Sequence, residues 1–237
     1  MKIKNVLLGA LFSTFLFPMN NYAITLHGNE PTNIANVTKT AFDYYNSGDY
    51  FKDIEAMDQS AMAYLKQRIS SGDVKKDPSH FAVVFDIDET LYSNIGFEKA
   101  TLNIGATAFP LLTSGKDYTI KYTDDIKPKT LLSTQKLFEF AKENGLSIFI
   151  MTGNYENMRP VVEGRLKETN YSGWTKLILK PDDLKVNKTS DYKAAQRQLI
   201  EKNGYHILEN IGDQDSDLEG GFSEMSFKLP NPFYFIP

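Results

Sequence analysis

Two hydrophobic periods alternate along this chain. Phe81 to Phe85 is an unbroken apolar run of strand length, set behind Asp77-Pro78. "LSIFIMTG", "TKLILK", "YHILENIGD" and "EMSFKLP" are four more short runs of the same kind. Between them, "LLSTQKLFEFAKENG", "YENMRPVVEGRLKETN" and "TSDYKAAQRQLIEKNG" space their apolar residues three and four apart, as helices do. Gly145 and Gly204 stand where two of these helices stop, and Pro160 falls in the first turns of the middle one. Apolar strands alternating with helices predict an α/β domain with a doubly wound, mostly parallel, Rossmann-like sheet and right-handed crossovers. Ahead of the sheet, "AFDYYNSG" ends a helix at Gly48. "DYFKDIEAMDQSAMAYLKQRISSG" then puts Phe51, Ile54, Met57, Ala61, Tyr64, Leu65 and Ile69 on one face, with Gly72 closing the helix. Residues 30–72 therefore read as an N-terminal helical element packed on the sheet domain.

The first 23 residues carry a different signal: Lys2 and Lys4, an apolar stretch from Val6 to Phe17, and a small residue at Ala23. That is the pattern of a cleaved secretory signal peptide over 1–23, which leaves a single domain over 24–237. The stretch is short of the roughly 20 residues a membrane helix needs, so no stable membrane span is expected. The protein is expected to be exported, either periplasmic or secreted. Net charge is −4 over 237 residues with no basic cluster, which argues against a nucleic-acid surface. The chain has no cysteine, so thiolate nucleophiles, disulfides and cysteine zinc sites are excluded. His27, His80 and His206 are not spaced to share a metal.

The unusual feature is "VVFDIDETLYSN", which drives a buried strand into Asp86, Asp88 and Glu89. In a doubly wound sheet, ligands bind beyond the carboxyl ends of the strands, where the strand order reverses. Three polar segments fall at such ends: Asp86-Ile87-Asp88, Thr152-Gly153-Asn154, and Gly212-Asp213 with Asp215 and Asp217. Two unit charges about 4 Å apart repel by roughly 4 kcal/mol at an effective dielectric of about 20, a cost that a shared cation removes. Mg²⁺ takes oxygen ligands and favours one or two carboxylates plus a substrate phosphate. Asp86 and Asp213 are the natural direct ligands, with Asp88 contributing its main-chain carbonyl. Asp86 can attack phosphorus and form an aspartyl phosphate. Asp88 points to the same side of an extended chain and can serve as acid and base. Thr152 offers a hydroxyl and Gly153 a main-chain N–H to a phosphate oxygen, and a lysine should neutralise the transferring group.

The motifs "DIDET", "MTG" and "GDQDSD" resemble the haloacid dehalogenase superfamily. Together with "FDIDETLYSN", "YSGWTKLIL", "SDYKAAQRQLIEKNGY", "NIGDQDSDL" and "SFKLPNPFYFIP", the chain from about 45 to 237 resembles its secreted acid phosphatases. These are class B-like members of subfamily IIIB, grouped with plant vegetative storage proteins. The resemblance implies Asp86 as nucleophile, Asp88 as acid and base, and Thr152 as phosphate ligand. It gives Lys193 the phosphate-site lysine role, with Lys180, at a strand end, as the competing lysine. Asp213 becomes a Mg²⁺ ligand and Asp217 a ligand or its orienter. Asn154 departs from the pattern, since many members carry arginine after "TG"; the departure bears on substrate recognition. In this superfamily an insertion after the nucleophile loop forms a cap, so 95–128, with Phe97, Phe109, Tyr118 and Tyr122, is expected to be a small one over an open site. Asp215 reads as a solvated acid and Trp174 as packing. Asp213, Asp215, Asp217 and Glu224 match a Ca²⁺-loop spacing by coincidence, with Leu218 where glycine belongs.

The sequence thus points to an exported Mg²⁺-dependent acid phosphatase acting on small phosphate monoesters, with homodimer formation open. The alternative is a non-catalytic storage or binding protein of the same fold; a dehalogenase fits less well, because it needs neither the second aspartate nor a metal.

Overall fold

Strands that are apolar at every position must be covered on both faces, and the helices do the covering. The computed structural model describes residues 31–96, 127–184 and 188–236. Along the chain run α1 (Ile34–Asn46), α2 (Asp49–Ser70), α3 (Gly72–Lys76), β1 (Phe81–Phe85), β2 (Tyr92–Ser93), β3 (Lys129–Thr130) and α4 (Leu132–Glu143). They are followed by β4 (Ser147–Tyr155), α5 (Arg159–Glu168), β5 (Lys176–Lys180), α6 (Thr189–Lys202), β6 (His206–Gly212), α7 (Asp215–Leu218) and β7 (Met225–Lys228). The main sheet has five strands in the order β5-β4-β1-β6-β7, and every pair in it is parallel.

Alternate side chains of each strand feed two separate cores. Val83 and Phe85 of β1, with Ile148 and Ile150 of β4, join Ile54 and Leu65 of α2, Leu137 and Phe138 of α4, and Val162 and Leu166 of α5. Ala82 and Val84, with Phe149 and Met151, join Tyr192 and Ile200 of α6 on the opposite face. From β1 the chain steps outward through α4 and α5 on one face. It then crosses through α6, on the other face, to β6 on the far side of β1. Helices change face when the direction of winding reverses, as a constant handedness of crossover requires. The doubly wound α/β architecture read from the sequence is the one observed.

Two details of the N-terminal element differ from the periodic reading. The buried stripe of α2 runs Tyr50, Ile54, Asp58, Ala61, Leu65, while Phe51 is exposed. Spacings of four, four, three and four follow the helical repeat more closely than a stripe starting at Phe51. Helix α2 also ends at Ser70, and Gly72 opens the short α3 rather than closing α2. Strands β2 and β3 pair antiparallel, so the segment after the Asp86–Asp88 loop leaves and returns side by side. The expected signal peptide 1–23 and most of the expected cap, including Phe97, Phe109, Tyr118 and Tyr122, lie outside the described residues. Among the described residues no helix is long and apolar enough to cross a membrane.

One buried acid has neither oxygen paired. Glu209 in β6 is fully buried, and neither of its carboxyl oxygens has a hydrogen-bond partner among the described residues. Burial, with the nearby charge of Asp58 on α2 adding, pushes its pKa up to about 9. The unfolded chain releases that proton near 4.5, so the folded state holds an extra proton between the two values. Stability contributed by the protonated form is complete below about 4.5 and is lost as pH rises toward about 9. Glu209→Gln keeps the shape without the titration. It is expected to raise stability at pH 8 by on the order of 1–3 kcal/mol, seen as a higher melting temperature, with the gain shrinking toward pH 5. Thermal melts of both proteins at the two pH values check this, and an equal shift at both would refute it.

Candidate active site

Strand register decides which side chains meet. Phe85 of β1 stands level with Ile150 of β4 and Ile211 of β6. The residues just beyond, Asp86, Thr152 and Asp213, therefore emerge at one rim, on either side of the point where the strand order reverses. The Asp86 N–H still donates to the Ile211 carbonyl at 2.9 Å, so β1 runs in sheet geometry up to its first carboxylate. Ile87 turns into the core between Asp86 and Asp88. Glu89, the third acid of that segment, leaves the site. It adopts a left-handed φ of 53° and is buried, accepting from the Tyr50 hydroxyl at 2.7 Å and the Asn94 N–H at 2.5 Å. Burial pushes its carboxyl up to about 7.

Asp86, Asp213 and Asp217 each present a carboxylate oxygen within 4.8 Å of the others, all buried. The Lys193 ammonium bridges two of them, donating at 2.5 Å to Asp86 Oδ1 and at 2.5 Å to Asp217 Oδ1. Burial alone would lower the Lys193 pKa, but Asp86 and Asp217 outweigh it and hold the ammonium above the usual lysine range. One lysine does not compensate three carboxylates. Burial and the charge of Asp217 raise Asp86 well above the ordinary carboxylate range, with Lys193 opposing. Burial and Asp217 likewise push Asp213 up to about 6. An added cation reverses this, because it favours the charged carboxylates.

The surroundings suit such an ion. Asn231 and Gln214 donate to Asp213 Oδ2 at 2.7 and 2.6 Å, which fixes the carboxylate. The Gln214 N–H donates to Asp217 Oδ2 at 2.9 Å. Buried Arg197 of α6 donates to the main-chain carbonyls of Asp217, Glu219 and Gly221, which locks the turn carrying Asp217. A Cβ at position 212 would sit 2.5 Å from the Asp217 Cβ, so only glycine lets Asp217 lie against the end of β6. Three carboxylates with oxygen donors alone fit a hard divalent cation.

Asp88 stands apart from that trio. Asn94 Nδ2 donates to its Oδ1 at 2.5 Å, and Asn154 Nδ2 reaches Oδ2 at 3.5 Å. Burial raises its pKa, opposed by Asn94 and by the charges of Arg165 and Lys193. Thr152 Oγ1 accepts from the Asn154 N–H at 3.1 Å and from its side-chain amide at 3.0 Å. With its acceptor capacity taken, the hydroxyl is left to donate into the cavity. Asp86, Asp88, Thr152, Gly153, Lys193, Asp213 and Asp217 line one cavity of about 590 Å³. The structure brings all seven expected site residues together; Asp215 is exposed and Trp174 packs on the core, as read. Lys180 lines the same cavity without touching the trio, so Lys193 is the lysine beside Asp86.

Four residues of the site carried no assigned role in the sequence reading. Asn94, Gln214 and Asn231 lie inside motifs that carry the family resemblance, which was the available signal. Arg165 lines the cavity from α5 and had none, since a basic residue in a last turn is ordinary.

A buried carboxylate trio able to hold a metal, beside a hydroxyl donor and a buried lysine, is the equipment of a phosphate-handling hydrolase. The family model of the HAD superfamily, subfamily IIIB (acid phosphatase), matches residues 21–237. The chain belongs to that family and is a phosphomonoesterase of it. It is 31% identical over 195 residues to Acid phosphatase 1 of Solanum lycopersicum, covering 82% of this chain and 72% of that one. It is 32% identical over 209 residues to Vegetative storage protein 1 of Arabidopsis thaliana, covering 86% and 72%. The class C acid phosphatase of Bacillus anthracis shares the fold, with a TM-score of 0.59 at 18% identity over 84% of this chain and 85% of that one.

Proposed function

We propose that the protein is an exported, Mg²⁺-dependent acid phosphatase that hydrolyses small phosphate monoesters through a phosphorylated Asp86. The observation that carries this reading is the division between the two carboxyls of β1. Asp86 touches Lys193 and shares the acidic trio, whereas Asp88 sits outside it, held by two side-chain amides. Environments that separate two neighbouring carboxyls assign them separate tasks.

Asp86, Asp213 and Asp217 would hold Mg²⁺, with the Asp88 carbonyl as the further expected ligand. The ion supplies charge compensation for the trio and for the phosphate oxygens. Lys193 keeps the Asp86 carboxylate in place, and Thr152 donates its hydroxyl to a phosphate oxygen, joined by the Gly153 N–H. An Asp86 oxygen forms a bond to phosphorus as the ester bond breaks, and Asp88 delivers its proton to the departing oxygen. Water then attacks the phosphoryl group, Asp88 takes its proton, and inorganic phosphate leaves Asp86 free. The raised pKa of Asp88 keeps that proton available at mildly acidic pH.

The test is p-nitrophenyl phosphate hydrolysis by the chain lacking residues 1–23. Chelation with EDTA is expected to lower the rate by at least about a hundredfold, and Mg²⁺ to restore it. A folded protein with no turnover in Mg²⁺ would move the reading to a storage or binding protein of this family.

A further inference from the structure

Three cations line the cavity, and among the described residues one of them is ion-paired. Lys193 lies between Asp86 and Asp217. Arg165 lies within electrostatic reach of Asp88 and opposes the rise of its pKa. Lys180 differs from both in having no carboxylate acting on it. It ends β5, is only 8% exposed, and among the described residues has no carboxylate within ion-pair distance. Its ammonium rests over the Tyr155 ring, 4.9 Å from the centroid. Burial and repulsion from Lys193 hold its pKa below the usual lysine range. A buried ammonium without a counter-ion is costly, and the cost is recovered when an anion arrives.

A second feature faces the same cavity. Thr189, the first residue of α6, lines the same cavity. Helix α6 has 14 residues, and Lys188 before it is extended and supplies no side-chain cap. First-turn N–H groups without a side-chain cap, at the positive end of the helix dipole, form an anion site. Among the described residues neither Lys180 nor Thr189 touches Asp86, Asp213 or Asp217, and Thr189 lies next to Gly153.

We propose that Lys180 and the α6 N-terminus at Thr189 form a second anion subsite, which selects phosphate monoesters bearing another phosphate or a carboxylate. This rests on the placement of the transferred phosphate at Asp86, Thr152 and Lys193. The preference is for a charge on the substrate, not for one particular alcohol.

Matched substrates test it: the monophosphates and bisphosphates of propanediol, butanediol and pentanediol, assayed by phosphate release. For the diol of best-fitting length, the bisphosphate is expected to exceed the monophosphate in kcat/KM by about tenfold, mainly through KM. Lys180→Met is expected to bring that ratio close to unity, and Lys180→Arg to retain most of it. A ratio unchanged in Lys180→Met overturns the proposal. If both rates then fall together, Lys180 serves the transferred phosphate; if neither falls, it is structural. The same comparison is read as binding by calorimetry on Asp86→Asn, alone and with Lys180→Met. A Lys180-dependent preference there supports the subsite even if the phosphoenzyme chemistry is wrong, and its absence there counts against the subsite.

Discussion

Asp86→Asn is expected to lower p-nitrophenyl phosphate turnover by at least about 10⁴-fold, the scale seen when a covalent nucleophile is removed. The substitution keeps the shape and a carbonyl that accepts from Lys193, whose ammonium retains Asp217 at 2.5 Å. The fold should therefore survive, and the melting temperature should move by no more than a few degrees. Two measurements separate chemistry from structure. Rapid acid quench of wild type with radiolabelled phosphate ester should capture a covalent phosphoprotein, and the variant should give none. A variant that retains more than about one per cent of the rate would mean that water, not Asp86, attacks phosphorus, because a general-base role is worth only about 10²–10⁴.

Much of this site was legible because parallel α/β sheets obey a strong placement rule. Once the apolar runs are taken as strands, "DID", "TG" and "GDQDSD" each follow a strand end, and ligands collect there. Side-chain choice between two lysines was not legible from spacing. Lys180 ends a strand and Lys193 sits a turn into a helix, so local pattern favoured Lys180 and only the resemblance favoured Lys193. What decides it is the crossing of α6 over the second face of the sheet, which carries Lys193 to Asp86 and Asp217. Tertiary geometry of that kind leaves no mark on sequence periodicity. Glu89 shows the opposite failure. Read in sequence it completes a knot of three acids, but its left-handed φ turns it into the core, toward Tyr50. Glu209 is the hardest case, because nothing in the pattern of "HILENIG" signals that its one acid is buried without a partner.

Asp88→Asn is expected to cost about 10²–10⁴-fold with an alkyl phosphate and distinctly less with p-nitrophenyl phosphate in the first step. The difference follows from the leaving group. An alkoxide is a poor leaving group and needs a proton as the ester bond breaks, whereas p-nitrophenolate is stabilised by its ring. Asp88 can supply that proton because burial raises its pKa while Asn94 fixes the carboxyl at 2.5 Å. The second step has no such escape, because water needs the same base whatever alcohol has left. In Asp88→Asn, the aryl ester should therefore phosphorylate Asp86 faster than water clears it. The expected signature is a burst of p-nitrophenol and a phosphoprotein that accumulates, whereas the alkyl ester should give no burst of its alcohol and no accumulated phosphoprotein. Equal losses with both esters and no accumulated phosphoprotein would assign Asp88 a different part. Its importance would then lie in the main-chain carbonyl and the shape of the β1 loop, not in proton transfer.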